Sequence, residues 1–268
     1  MTDTNGMLEV TLADARQIME KVWSINPKHA FVLFGPSGVG KSTMVAGMVG
    51  KNEGFFPLYG HSFNPTEING ILYVDEKTGL AKWAKLGCLP LPEERGDPES
   101  GIICVEEPNH APPAIQGELQ KLIYGRISGD YRVPDKYKVV GCANRTKDRA
   151  NINPMPGPLR VRWTWLWIRP DVEVWVRDFA LPHKINWSIV GFLRFRPDAF
   201  NEDPPLDGPF ACGRTWERVN DYIEAGLPDI LNDLGEAKLF RAAVYGAVGG
   251  RFGSEYLAYR NIADRLPS

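Results

Sequence analysis

Cysteine is scarce in this sequence of 268 residues, and the few cysteines lie far apart. No two of them have the CxxC spacing that zinc sites usually need, so the pattern argues against a zinc site. Two of them lie inside apolar runs and are predicted to be small core residues, which fits a reducing compartment. The four are Cys88, Cys104, Cys142 and Cys212.

Long apolar runs and an excess of charge of one sign are also missing. No apolar run approaches the roughly 18 residues that a membrane-spanning helix needs, and residues 1–7 are polar. We therefore expect no signal peptide, no membrane span and a cytoplasmic location. The formal net charge of -2 excludes a global basic field that would attract nucleic acid or anionic membranes. A composition of 43% hydrophobic and 24% charged residues excludes dominant disorder and fibres, and predicts a globular core.

Short apolar runs bounded by glycine or polar residues predict buried strands. A glycine-rich turn and a helix follow the first of these runs, which begins a βαβ unit and predicts a parallel sheet. A hairpin is predicted over residues 71–84, within a segment, 55–91, that is otherwise rich in turns. The predicted strands cover residues 30–34, 101–105, 138–143 and 163–168.

Apolar residues at helical spacing predict helices in the first half of the chain and an all-helical region after residue 171. The loop 196–213 contains four prolines and two glycines, and it is the predicted domain boundary. The fold class is therefore α/β, with a three-layer core around a parallel sheet over residues 1–195 and a small helical lid over 205–268. The predicted helices cover residues 11–23, 41–49, 114–124, 172–180, 185–195, 215–225 and 237–248.

Residues 35–42, Gly-Pro-Ser-Gly-Val-Gly-Lys-Ser, fit the pattern G-x-x-x-x-G-K-[ST] of a phosphate-binding loop, the P-loop. Glycines allow backbone conformations in which several N–H groups converge on phosphate oxygens, and the helix N-terminus that follows favours anions. Lys41 is predicted to reach the β- and γ-phosphates, and the Ser42 hydroxyl is predicted to hold Mg²⁺. The predicted nucleotide-binding residues are Gly35, Pro36, Ser37, Gly38, Val39, Gly40, Lys41, Ser42 and Thr43.

Two carboxylates, Glu106 and Glu107, end the second predicted strand. In P-loop enzymes one acid at a strand end orients metal-bound water, and the next polarises the attacking water. We therefore assign Glu106 to the metal side and Glu107 to the water side. The usual residue at the first position is aspartate, so the longer Glu106 leaves open whether its contact with Mg²⁺ is direct.

Polar residues after the later strands complete the predicted site. Asn144 ends the third predicted strand, where its amide could hydrogen-bond the γ-phosphate and the attacking water. An arginine near residue 160 could serve the nucleotide of a neighbouring subunit. Arg214 opens a predicted helix beyond the proline-rich loop and could report nucleotide hydrolysis through lid motion. The candidates for the arginine that acts on a neighbour are Arg145, Arg149, Arg160 and Arg162.

The order of these motifs resembles that of the AAA+ ATPases and, within them, the MoxR-like group. Residues 106–113, Glu-Glu-Pro-Asn-His-Ala-Pro-Pro, are similar to the group's segment after its Walker B acids, and residues 140–145 are similar to its sensor 1 strand. Residues 159–163 resemble the stretch that ends in the group's finger arginine, which selects Arg162. Residues 213–216 resemble its sensor 2 region.

This resemblance implies an ATP-hydrolysing ring, usually a hexamer, that remodels a protein partner and often acts with a protein carrying a von Willebrand factor A-type domain. It also implies that segment 64–70 and the hairpin after it face the central channel, so residues 71–73 could touch substrate. Buried packing of Leu72 is the alternative. The implied catalytic residues are Glu107, Asn144, Arg162 acting in trans and Arg214, and the implied metal ligands are Ser42 and Glu106.

Two other functions stay open from the sequence. One is a nucleic-acid-directed motor, such as a helicase loader or restriction-type translocase, with bases stacked on the alternating Trp163, Trp165 and Trp167. Few cations interleave with these tryptophans, which favours internal packing instead. The other is a nucleotide-gated assembly module that hydrolyses ATP weakly, an alternative that gains weight from Glu106.

Overall fold

The computed structural model describes residues 6–62, 69–145, 148, 153–231 and 237–263. The chain folds as two compact units. The first unit comprises the chain up to Gly35 and most of residues 41–168, and the second comprises residues 36–40 and the chain from Arg169 onward. No described helix has both the length and the apolar character that crossing a membrane would require.

A six-stranded sheet forms the centre of the first unit, and every neighbouring pair of its strands is parallel. The strand after which the phosphate-binding loop begins lies inside the sheet, so the loop starts from a buried support. In spatial order the strands are β1 (Glu9–Val10), β10 (Thr164–Ile168), β2 (Phe31–Phe34), β9 (Tyr137–Ala143), β6 (Gly101–Glu106) and β3 (Gly54–Tyr59).

Helices and turns of the first unit cover both faces of this sheet, which gives the three predicted layers. Successive strand residues point to opposite faces, and a core cluster on one face includes Val105 and Val139 packed with Ile115 and Leu119. The other face, which carries Cys104, contacts α2. The helices of this unit are α1 (Leu12–Trp23), α2 (Lys41–Ala46), α3 (Pro92–Arg95), α4 (Pro113–Gln120, continued by a π-helical turn over Lys121–Gly125) and α5 (Gly157–Arg160).

Two antiparallel hairpins stand outside the main sheet. The first pairs β4 (Leu72–Val74) with β5 (Ala81–Trp83), as the sequence predicts, and Gly79 closes its turn with φ +69°. The second pairs β7 (Ile127–Ser128) with β8 (Tyr131–Arg132), and it is not predicted from the sequence.

β3 is also not predicted from the sequence, and it lies in the segment that reads as rich in turns. Pro57 sits inside this strand. Proline is normally excluded from a sheet because it has no N–H to donate, but it is tolerated in an edge strand. Among the described strands β3 is the last in the sheet order and has β6 as its one neighbour, so Pro57 is accommodated there.

The second unit is helical, and its helices enclose a separate hydrophobic cluster. Residues 172–200 share this cluster with the C-terminal helices, and the compact units divide near Ile168. The partition into residues 1–195 and 205–268 stays a prediction. The helices are α6 (Val172–Trp175, continued by a π-helical turn over Val176–Ala180), α7 (Trp187–Phe195), α8 (Gly213–Glu224) and α9 (Lys238–Ala263, kinked at Gly249).

The predicted fold class is therefore confirmed. The chain has an α/β core with a central parallel sheet and a P-loop, followed by a helical C-terminal region.

Replacing Trp216 by alanine tests the core of the second unit. Its side chain is fully buried, its ring lies 5.3 Å from that of Phe192, and its Nε1 donates to the Ala199 carbonyl at 2.7 Å. We expect Trp216→Ala to lower the free energy of unfolding by about 3–5 kcal/mol, the usual cost of such a cavity. Urea unfolding followed by far-ultraviolet circular dichroism measures it.

Trp187→Ala is the matched control, because Trp187 is 57% exposed. We expect this exposed substitution to change the free energy of unfolding by no more than about 0.5 kcal/mol. Equal losses for the two variants would contradict the assignment of Trp216 to the core.

Candidate functional site

The predicted phosphate-binding loop leaves the carboxyl end of β2, which lies between β10 and β9. Gly35 starts the loop, and its N–H donates to the Ala143 carbonyl at 3.2 Å. A side chain at Gly35 would lie 2.7 Å from the Ile168 carbonyl oxygen, so only glycine fits between these strand ends. Gly38 and Gly40 have φ values of +75° and +97°, a backbone region that favours glycine.

Lys41, the first residue of α2, is buried, with 7% of its surface exposed. Its Nζ donates to the Gly35 carbonyl at 2.9 Å and to the Asn144 Oδ1 at 3.1 Å. Both of these acceptors are neutral oxygens. Phosphate oxygens carry negative charge, so they are well suited to a buried ammonium group at this position.

Asn144 connects this lysine to one of the two predicted acids. It follows β9, which lies between β2 and β6, so the sheet order places its amide between the loop and the acids. While its Oδ1 accepts from Lys41, its Nδ2 donates to Glu107 Oε1 at 3.1 Å. The buried Asn109 donates to the Asn144 backbone carbonyl at 2.8 Å and holds this strand end in place.

Glu107 has a left-handed backbone conformation, with φ +52°. Such a conformation costs a non-glycine residue on the order of 1–3 kcal/mol and persists only where the surroundings enforce it. Here the Glu107 N–H donates to the Cys142 carbonyl at 2.8 Å, and its own carbonyl accepts from the His110 N–H at 2.8 Å. The chain therefore turns sharply after β6, and Glu107 no longer follows the alternation of that strand.

His110 is the second partner of the Glu107 carboxylate. Its Nδ1 lies 2.9 Å from Glu107 Oε2, while Asn144 occupies Oε1. Two neighbours therefore fix the orientation of this carboxylate. The sequence alone predicts no chemical role for His110. The spacing of three residues between His110 and Glu107 is the signal that could have indicated this contact.

The Glu106 carboxylate has different partners from the Glu107 carboxylate. Ser42 Oγ donates to Glu106 Oε2 at 2.7 Å, so a hydroxyl and a carboxylate lie side by side near the start of α2. Oxygen ligands of this kind are those that Mg²⁺ prefers, and the pair therefore fits the metal role predicted for both residues. Thr43, the next residue of α2, is exposed.

Two cysteines lie beside Glu106 on the same face of the sheet. Cys104 Sγ lies 3.3 Å from Glu106 Oε1 and 3.8 Å from Cys142 Sγ. The hydrogen bond with Cys142, together with burial, raises the pKa of the Cys104 thiol well above its ordinary value. Cys104 and Cys142 are 38 residues apart in the chain and come together only because β6 pairs with β9, so no CxxC spacing announces them.

Arg162 lies at the opposite edge of the sheet from the loop. It precedes β10, and the parallel register pairs Thr164 with Phe31, four residues before Gly35. At about 3.3 Å per strand residue, this separates the start of β10 from Gly35 by roughly 13 Å. The Arg162 guanidinium lies 5.0 Å from the centre of the Tyr124 ring, and its Nη1 donates to the Pro158 carbonyl.

Two of the other candidates for the arginine that acts on a neighbouring subunit lie at different edges of the sheet. Arg160 is exposed and lies on the same edge as Arg162, whereas Arg145 directly follows Asn144 at the loop edge. Arg149, and residues 64–68 of the predicted insert, lie outside the described residues.

The second unit contains the start of α8 and the loop residues 36–40. The Arg214 N–H donates to the Gly38 carbonyl at 3.3 Å, and the Arg214 side chain is exposed. A side chain on Gly38 would lie 2.4 Å from Cys212 Sγ. The loop and the predicted sensor 2 helix are thus in backbone contact.

The tryptophans near β10 pack within the first unit. Trp163 is buried, and the Phe34 ring lies 5.5 Å from that of Trp165 and 4.6 Å from that of Trp167. Trp165 Nε1 donates to the Arg160 carbonyl at 3.0 Å. These contacts favour internal packing over base stacking.

No protein-family profile matches the chain, and no curated protein matches it in sequence. Solved structures similar to it include a candidate ATPase from Cytophaga hutchinsonii, with 17% identity and a TM-score of 0.45 over 66% of this chain and 53% of that one. NtrX from Brucella abortus in complex with ATP has 15% identity and a TM-score of 0.43 over 87% and 54%. A second NtrX structure has 16% identity and a TM-score of 0.38 over 98% and 70%. The chain spans about half the length of the first two.

Alanine at Gly38 tests the packing of the loop. We expect Gly38→Ala to cost about 1–2 kcal/mol for the positive φ and about 1–3 kcal/mol more for the overlap with Cys212. Gly79→Ala is the matched control, because Gly79 has φ +69° and nothing within 4 Å of its added side chain. Free energies of unfolding from urea titration compare the two variants. Equal losses would show that Cys212 does not constrain the loop.

Proposed function

We propose that this protein is a Mg²⁺-dependent ATPase of the AAA+ class, with a MoxR-like arrangement of motifs. The observation that supports it is one hydrogen-bonded series, in which the P-loop lysine contacts Asn144 and Asn144 contacts Glu107. Beside it stands the Ser42–Glu106 pair. The residues to which we assign phosphate binding, metal binding and base catalysis therefore lie together at one edge of one sheet.

In this proposal the loop and Lys41 bind the phosphates. The backbone N–H groups of a glycine-rich loop surround the α- and β-phosphates, while the lysine reaches the β- and γ-phosphates. Lys41 is already held toward the loop by the Gly35 carbonyl, 2.9 Å from its Nζ. Little side-chain freedom is lost when a γ-phosphate oxygen joins its acceptors, which favours binding.

Ser42 and Glu106 would hold the metal. Mg²⁺, when bound, neutralises charge that develops on the transferred phosphoryl group. Glu106 is one methylene longer than aspartate, and its carboxylate already accepts from the Ser42 hydroxyl at 2.7 Å. Direct or water-mediated coordination both fit this placement.

Glu107 would act as the general base. It accepts a proton from the attacking water as the water oxygen bonds the γ-phosphorus, and ADP leaves with the electron pair of the broken P–O bond. Asn144, which contacts both Lys41 and Glu107, couples the position of the base to the lysine that binds the γ-phosphate.

We further propose that the active form is a ring of identical chains, usually six in this class, acting on a protein partner. Arg162 lies at the sheet edge opposite the loop, so an action on phosphate requires the nucleotide of another copy. Hairpin β4–β5 exposes Ile71, Leu72 and Tyr73, with Leu72 54% exposed, which favours contact with a protein substrate over the alternative of internal packing. A partner with a von Willebrand factor A-type domain belongs to the same proposal, as does the role of Arg214.

Lys41→Ala and Glu107→Gln separate binding from chemistry. We expect Lys41→Ala to weaken Mg·ATP binding roughly 10- to 100-fold, because a charge-assisted hydrogen bond contributes about 1.5–3 kcal/mol. We expect Glu107→Gln to keep ATP affinity while its turnover falls about 100- to 10,000-fold, the usual effect of losing a general base. Isothermal titration calorimetry and phosphate release measure the two quantities.

Lys51→Ala is the control for charge, because Lys51 is exposed and follows α2 in sequence. A wild-type protein that binds no adenine nucleotide in the presence of Mg²⁺ would contradict the proposal. Turnover that is low in the wild type and unchanged in Glu107→Gln would favour the nucleotide-gated assembly module instead.

Mixing two inactive variants tests the trans arginine. Arg162→Ala subunits keep Glu107, and Glu107→Gln subunits keep Arg162, so a shared site is complete only where the two meet. We expect each variant alone to lose ATPase activity and mixtures to recover part of it, measured as phosphate release against mixing ratio.

Arg160→Ala subunits serve as the matched control, because Arg160 is exposed on the same edge. We expect this variant to keep its activity without mixing. Absence of recovery at every ratio, from variants that assemble as the wild type does, would contradict action in trans.

A further inference from the structure

The first unit brings together three side chains, of which only Glu106 has a role in the proposed ATPase. Cys104 and Cys142 are buried, with 0% and 2% of their surfaces exposed, and Glu106 is half-buried beside them. One ligand atom from each of the three lies within 4.8 Å of the other two. At this spacing, two sulfurs and a carboxylate oxygen can all coordinate the same metal ion.

We propose that Cys104, Cys142 and Glu106 form a binding site for a thiolate-preferring divalent cation such as Zn²⁺, separate from the Mg²⁺ site. Two thiolates, each about 2.3 Å from a tetrahedral ion, lie roughly 3.8 Å apart. The two sulfurs are 3.8 Å apart in this structure. A thiolate and a carboxylate oxygen on the same ion lie roughly 3.6 Å apart, and Cys104 Sγ lies 3.3 Å from Glu106 Oε1.

The sheet fixes this geometry before any ion arrives. β6 and β9 pair in parallel register with Glu106 opposite Cys142, and Cys104 points to the same face as Glu106 because it lies two residues before it. These side chains supply three of the four ligands of a tetrahedral site, and the fourth position is open to a solvent ligand. The two thiol protons go to solvent as the ion binds.

Donor chemistry separates this site from the magnesium site. Thiolates select zinc and softer ions, whereas Mg²⁺ takes oxygen ligands. Glu106 belongs to both sites through different oxygens: Oε1 faces Cys104, and Oε2 accepts from Ser42. An ion on the two sulfurs and Oε1 therefore places positive charge next to the proposed Mg²⁺ ligands, and the repulsion between the two cations weakens Mg²⁺ binding there. This second consequence rests on the proposed ATPase and predicts that Zn²⁺ inhibits it reversibly.

Cadmium binding tests the site without reference to activity. We titrate the full chain, reduced and free of chelator, with Cd²⁺ and follow the ultraviolet thiolate-to-cadmium charge-transfer band. The expected result is a band that saturates at one Cd²⁺ per chain and is lost in the Cys104→Ser, Cys142→Ser double variant. We expect Glu106→Gln to weaken binding by about tenfold or more, since even indirect partners of a ligand contribute that much.

Cys88→Ser is the matched control, because Cys88 is half-buried and lies outside this cluster, and it should keep the band. No band in folded wild-type protein, or an equal band in the double variant, would overturn the proposal. If the double variant does not fold, as judged by circular dichroism, the Co²⁺ spectrum of the wild type decides. Tetrahedral bands with thiolate charge transfer support the site, and an octahedral spectrum without it overturns the site.

ATPase measurements then address the second consequence. We expect added Zn²⁺ to lower phosphate release and a chelator to restore it, with the Cys88→Ser variant responding as the wild type does. A protein that binds Cd²⁺ at these residues but hydrolyses no ATP would contradict the proposed function and leave the metal site standing.

Discussion

The candidate site depends on one constraint: a buried ammonium group held between the ends of two adjacent strands. Removing such a group from water costs several kcal/mol unless oxygens surround it. Parallel pairing supplies those oxygens, because β2 and β9 run in register and end together, which places the Gly35 carbonyl and the Asn144 amide on either side of Lys41. The position of the Lys41 ammonium group therefore depends on the order of the strands as much as on the sequence of the loop.

The same sheet explains why two adjacent glutamates have different partners. Glu106 is the last residue of β6 and keeps the strand alternation, so it points to the face that carries Cys104 and α2. Glu107 turns into a left-handed conformation, and its carboxylate meets Asn144 and His110 instead. The left-handed backbone at Glu107 thus separates the proposed base from Glu106, the proposed metal ligand.

Local patterns predicted most of the core. The apolar run before Gly35 and the loop that follows it identify β2 and the P-loop, and the strand ends at Glu106 and Asn144 were found as candidates because polar residues follow buried runs. Sequence could not predict which strand ends are neighbours, so the Lys41–Asn144 contact and the pairing of Cys104 with Cys142 appear only in the fold. It also missed β3, since Pro57 is compatible with a strand only at a sheet edge, and edges are a property of the whole sheet.

The position of Arg162 bears on how copies of this chain can assemble. Phosphate-binding groups follow the carboxyl ends of parallel strands, and Lys41, Asn144 and the two acids all lie at that edge. Arg162 precedes β10 and lies at the amino edge, so the strand length itself separates it from the loop of its own chain. An arginine that neutralises charge on a transferred phosphoryl group must therefore be another residue of this chain, or it must come from a second copy. In the second case, the amino edge of that copy's sheet meets the carboxyl edge of this one. In a head-to-tail contact of that kind, two different surfaces of the chain meet. When the same contact is repeated from copy to copy and the rotation closes, the copies form a ring.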